Sequence, residues 1–238
     1  MSTNPRSLRD FHDQYGISAI CRRHFGYKKP VSDAEMGGYP TRGALTYMRA
    51  LERGRMGLTH DKAAKAYIQG VRLTALGIVV AQVIVGDDQR NWDGGNATAE
   101  ALSHDQSAVV PVFTSPAVTY PHYTTFGVVR AALEAHGDYA VHAYLAGAIK
   151  GIWSEPAEVF EARILAAVQA SYEVSGPVLF DLNFEQITLL YFLLVQGLKR
   201  GEIPFAKGSW CPTMGGGVVI SADRTQAMEF RPDLTLVE

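Results

Sequence analysis

Arg22, Arg23 and His24 stand side by side, and Phe25, Tyr27, Lys28 and Lys29 follow within five residues. Guanidinium and ammonium groups at such spacing suit phosphate, and an interleaved aromatic ring can stack on a base. Phe25 and Tyr27 would equally serve as core residues of a small helical hairpin. A second basic set lies on a helix expected over residues 42–53, capped by Thr41 and ended by Gly54. Arg42, Arg49 and Arg53 fall near one face of it, Leu45, Met48 and Leu51 fall on the other, and Arg55 extends the basic stripe. An ordinary solvated face accounts for this second set as well as a binding surface does. The expected nucleic-acid contacts are therefore Arg22, Arg23, Lys28, Lys29, Arg42, Arg49, Arg53 and Arg55.

The charge balance points the same way. The formal net charge is only -2, yet residues 1–76 hold 13 Lys+Arg against 6 Asp+Glu, and the remainder holds 9 against 18. A basic front and an acidic rear suit a polyanion partner, or head-to-tail attraction between copies of the chain. An uneven but merely solvated surface would give the same count.

Motifs for other chemistry are missing. The seven histidines are scattered, with no HExxH and no CxxC. There is no GxSxG elbow and no dinucleotide fingerprint after a strand. Gly215-Gly216-Gly217 is not followed by a helix opening with Lys-Ser/Thr, so it is no P-loop. From Gln89, a calcium-loop pattern nearly fits through Asn91, Asp93, Gly94 and Glu100, but Gln stands where the first carboxylate is required. Asp181, Asn183 and Glu185 alternate near a helix start, where capping explains them. No metal and no cofactor is expected, and the absence of motifs lowers the odds of an enzyme without excluding one.

The elements that would position these groups read as mainly helical. Thr59 caps a segment from His60, and the uncharged run from Leu73 to Val85 suggests one buried central helix over about residues 60–85, roughly 39 Å long at 1.5 Å per residue. The run is too short and too interrupted to span a membrane. Gly70, Thr74, Gly77 and Ala81 form a small-residue stripe along it, with Ala143, Gly147 and Gly151 as a candidate partner. Residues 6–15 and 17–25 read as two short helices about Gly16, a loose helix-turn-helix. Pro111, Pro116 and Pro121 impose an extended crossing over residues 105–125. Helices follow over 124–136, 139–152, 155–174 and 184–200, and Gly176–Phe180 is a brief extended entry to the last. Gly217–Ser221 and Ala227–Phe230 read as short strands, paired as a hairpin.

The expected fold is thus mainly α, a multi-helix globule around the central helix with a short β-rich C-terminal segment. It divides into a basic arm (1–58), a helical core (59–201) and an extended tail (202–238). Two cysteines make no disulfide framework, and the polar start carries no leader pattern, so a reducing intracellular compartment or a virion is expected. The leading functional expectation is a non-enzymatic, self-assembling structural protein, a nucleoprotein or capsid-type virion subunit. It would contact RNA or DNA and other copies of itself, without a membrane span. The alternatives are a DNA-binding regulator using residues 6–29, and a helical enzyme without a recognisable motif whose pocket lies near residues 202–221.

Overall fold

The structure, a computed structural model, describes residues 5–25, 60–106, 108–119 and 126–237. Helix α1 (Leu8–Tyr15) is capped by Ser7, whose hydroxyl accepts from the Asp10 N–H at 3.2 Å while Asp10 accepts from the Ser7 N–H at 3.0 Å. Gly16 ends it at φ +65°. The next element is strand β1 (Ala19–Arg23), where a helix is expected from the sequence, so the helix-turn-helix reading fails.

The expected central helix is also two elements. Helix α2 (His60–Ala75) stops at Gly77, which takes the left-handed φ of +76°. The chain then extends into β2 (Gln82–Val85). An apolar run of this length fits a buried parallel strand as well as a buried helix, and its β-branched residues favour the strand. Helix α3 (Gln89–Gln106) absorbs the near-calcium sequence: Gln89 Nε2 donates to Asp93 Oδ1 at 2.7 Å, one turn on. Strand β3 (Val112–Thr114) supplies the extended part of the proline-spaced segment. Helices α4 (Phe126–His136), α5 (Ala140–Leu145) and α6 (Ala157–Ala170) follow. Strand β4 (Val178–Leu182) then leads through Asn183 into helix α7 (Phe184–Leu190), which continues as a π-helical turn over Tyr191–Val195. Strands β5 (Gly217–Ile220) and β6 (Ala227–Phe230) close the chain as an antiparallel hairpin.

All six strands form one mixed sheet in the order β3-β2-β4-β1-β5-β6. The first four are parallel and β5 runs antiparallel to β1. The mainly-α expectation is therefore corrected to an α/β fold. On one face Cys21, Val178, Phe180 and Val218 pack with Tyr144, Phe160 and Ile164 from α5 and α6. On the other, Ile20, Val83, Leu179 and Val219 pack with Phe11 of α1, Leu73 of α2 and Leu102 of α3. Gly70 serves the second layer, but its partner is α3 rather than the stripe at 143–151. A Cβ at Gly70 would lie 2.8 Å from Ala101 Cβ and from the Thr98 carbonyl, so only glycine allows the two helices this approach. No helix among the described residues is long and apolar enough to cross a membrane.

A fully buried ion pair sits in this second layer, at the centre of the sheet. Arg22 on β1 lies opposite Asp181 on β4, and both side chains are fully buried. The guanidinium donates through Nη2 to Asp181, and through Nη1 to Gln69 of α2 at 3.0 Å and Thr98 of α3 at 2.9 Å. Removing one partner of a buried pair leaves an uncompensated charge, which costs about 3–5 kcal/mol. Asp181→Ala is expected to lower unfolding stability by that amount in urea titrations. The pair-removing double variant Arg22→Met/Asp181→Leu is expected to recover most of the loss.

Candidate active site

Four parallel strands present their C-terminal ends on one rim of the sheet, the usual place for a ligand in an open α/β fold. The turns leaving those ends carry the polar groups. Past the end of β1 comes His24, past β2 come Asp87, Asp88 and Arg90, and past β4 come Asn183 and Glu185. Pleating separates two neighbouring arginines: Arg22 faces α2 and α3, so Arg23 faces the opposite layer. Its guanidinium carbon sits 5.0 Å from the centroid of the Phe184 ring, and its Nη1 donates to the Pro212 carbonyl.

The β1–β4 ladder runs one step past the strands, because the His24 N–H donates to the Leu182 carbonyl at 2.9 Å. Arg23 is paired with Leu182, so His24 falls beside Asn183. Asn183 joins the other arginine to the rim. Arg90 Nη2 donates to Asn183 Oδ1 and to Asp88 Oδ2, both at 2.7 Å, and Asn183 Nδ2 donates to the same Asp88 oxygen at 3.1 Å. Asn183 is fixed in turn by its backbone N–H, which donates to Gln186 Oε1 at 3.1 Å, while Gln186 Nε2 donates to the Val118 carbonyl. His24, Asp88, Arg90 and Asn183 are all at most 8 % exposed, so this cluster is held in place rather than solvated.

Burial pushes the Asp88 carboxyl above its ordinary range, against the pull of Arg90 and Asn183. Burial likewise raises Glu185, against a hydrogen bond from its own backbone and the nearby Arg90. Two carboxyls that resist ionisation beside two guanidinium groups and an imidazole form a set able to bind an oxyanion and deliver a proton. A cavity of about 300 Å³ opens on the same rim at the ends of β2 and β3, lined by Gly86, Asp87, Gln89, Trp92 and Thr114. A larger one of about 680 Å³, near Trp153 and Arg200, shares none of these residues.

Of the expected phosphate contacts, Arg23 is at this rim and Arg22 is locked inside the sheet. Lys28, Lys29, Arg42, Arg49, Arg53 and Arg55 lie outside the described residues. His24, Asp88, Arg90, Asn183 and Glu185 were not among the expected contacts. A signal for two of them was present in the alternation of Asp181, Asn183 and Glu185, although capping explained it. The candidate site is built from three strand ends, and it meets the segment 202–221, where a pocket is expected, through the Arg23 bond to the Pro212 carbonyl.

No protein-family profile matches the chain, and no curated protein matches it in sequence. Solved structures match the fold. A mycobacterial glucosyl-3-phosphoglycerate phosphatase is 14% identical, covering 88% of this chain and 94% of its own, at a TM-score of 0.56. A phosphoglycerate mutase from Bacillus anthracis is 13% identical, covering 92% and 90%, at 0.53. An alpha-ribazole phosphatase from Shigella flexneri is 13% identical, covering 92% and 94%, at 0.51. The fold is therefore the α/β fold of phosphoglycerate mutase-like phosphatases. This overturns the nucleoprotein, capsid and virion reading, which rested on a basic front against an acidic rear and on extended segments, and with it the expectation of a non-enzyme. The regulator alternative falls with its second helix.

Glu185 gives a test of the site's electrostatics. Below its ordinary pKa of 4.5, the carboxyl is mostly protonated folded or unfolded. Its raised folded value means that stability is lost as pH rises beyond that point. Glu185→Gln should therefore raise the urea midpoint at pH 7.5 while leaving it nearly unchanged at pH 4; the same midpoint shift at both pH values would contradict a raised Glu185.

Proposed function

We propose that this chain is a phosphatase-type enzyme acting on a phosphomonoester, with His24 as the nucleophile. The observation that carries the reading is the register of β1 and β4. It brings the backbone of His24 alongside Asn183, which accepts from Arg90, with Arg23 one residue back, on a fold shared with proteins that carry phosphatase and mutase names.

In the reaction a ring nitrogen of His24 attacks phosphorus, and the bond from phosphorus to the ester oxygen breaks. Arg23 and Arg90 stabilise the phosphoryl oxygens as charge shifts onto them. Glu185, held protonated more readily than an exposed glutamate, gives its proton to the departing alkoxide. Water then attacks the phosphorylated imidazole with Glu185 as base. The phosphorus–nitrogen bond breaks, and inorganic phosphate and free His24 are regenerated. The cavity beside Trp92 receives the organic part of the ester.

Hydrolysis of p-nitrophenyl phosphate and of a panel of sugar phosphates tests this. His24→Ala is expected to abolish turnover, and Arg90→Ala to lower kcat roughly 10²–10³-fold, the usual effect of losing one transition-state donor. Turnover that survives His24→Ala, or a parent protein inert across the panel, would refute the assignment.

A further inference from the structure

We infer that Asp88 selects the charge state of the phosphoryl group that the site admits, because it holds Arg90 as a neutral pair that a dianion must break. The inference rests on the reading of this rim as a phosphoryl site.

Arg90 is not positioned as an open clamp. Its Nη2 is committed to Asp88 Oδ2 and Asn183 Oδ1, both at 2.7 Å, and the Asn183 amide donates to the same carboxylate oxygen. The carboxylate thus takes from each neighbour one donor that a phosphoryl oxygen could otherwise use. It is 2 % exposed, so water screens it little. A dianion entering here meets Asp88 as a competitor for one guanidinium and as a like charge. The other ionisable groups around Asp88 do not relieve this. Asp87 in the same turn and Glu185 at the start of α7 are further acids, and Asp181 is already tied to Arg22. Arg23 and His24 are the basic groups on the β1 side.

Proton uptake by Asp88 removes the competitor. The neutral carboxyl releases Arg90 Nη2 for the ligand and becomes a donor itself. Burial, which makes the Asp88 carboxylate harder to form, raises the pH at which that step occurs. The site therefore prefers a singly charged phosphoryl group near neutral pH and admits a dianion as pH falls.

Sulfate is the suitable probe, since it stays a dianion throughout the working range while phosphate changes charge. Calorimetric titration of the parent protein should show sulfate binding tighten as pH is lowered from about 8 to about 5.5. Asp88→Asn should bind sulfate at least about tenfold tighter than the parent at the higher pH, the factor that one pKa unit of coupling represents. The parent's excess over the pH dependence that remains in this variant is that of Asp88. Should Asp88→Asn fold poorly, Asp88→Ser serves the same comparison. If Arg23→Ala weakens sulfate binding but neither Asp88 variant tightens it, the inference is overturned and the site reading stands. If neither sulfate nor inorganic phosphate binds the parent or the Asp88 variants at any pH, both are overturned.

Discussion

A guanidinium buried in the middle of a sheet is costly unless every donor finds an acceptor. The two terminal nitrogens of Arg22 find them on three separate elements: Asp181 on the neighbouring strand, Gln69 on α2, and Thr98 with the Gly94 carbonyl on α3, while its buried Nε has no acceptor among the described residues. Gln69 passes the constraint onward, donating to the Gly215 and Pro232 carbonyls at 2.8 and 3.0 Å. The register of β1 against β4, the depth of α2 and α3 over the sheet and the approach of the C-terminal segment thus meet at one side chain. Everything at the rim inherits that register. Were β1 to slip by one residue, Arg23 would turn into the apolar layer and His24 would lose its place beside Asn183.

The rim repeats the chemistry of the interior at lower burial. Arg22 with Asp181 and Arg90 with Asp88 are two Arg–Asp pairs on neighbouring strand ends, one sealed and one at the edge. The sealed pair has a structural role, because nothing can reach it. The edge pair lies where ligands approach an α/β sheet. Much of the basic character that a residue count assigns to β1 is therefore neutralised inside the molecule. A charge imbalance along the sequence is a poor guide to charge on a surface when an arginine can pair across the sheet.

Parts of this were legible from the residues. Gly217–Ser221 and Ala227–Phe230 read as short strands, close to β5 and β6, and Gly16 marks the end of a helix read over residues 6–15, close to α1. The rest was hidden for identifiable reasons. Ala19-Ile20-Cys21-Arg22-Arg23 ends in two arginines, and a strand that buries one of them departs from the pattern of a buried strand. Ile78–Val85 is uncharged and apolar but for Gln82 in either conformation, so Gly77 is the mark separating helix from strand, and it also fits a small-residue stripe. The site was harder still. Its residues lie at three strand ends, far apart in sequence, and the pairing of His24 with Asn183 exists only once β1 and β4 lie side by side. Arg23 was reached for a related reason, phosphate affinity, though on the wrong scaffold.

The central claim is that one phosphorus atom is held by His24, Arg23 and Arg90 together. A crystal structure with orthovanadate bound would show this directly. The account predicts vanadium bonded to a ring nitrogen of His24, with its oxygens within hydrogen-bonding reach of both guanidinium groups. Vanadate bound elsewhere, or bound at the rim with His24 turned away from it, would contradict the account.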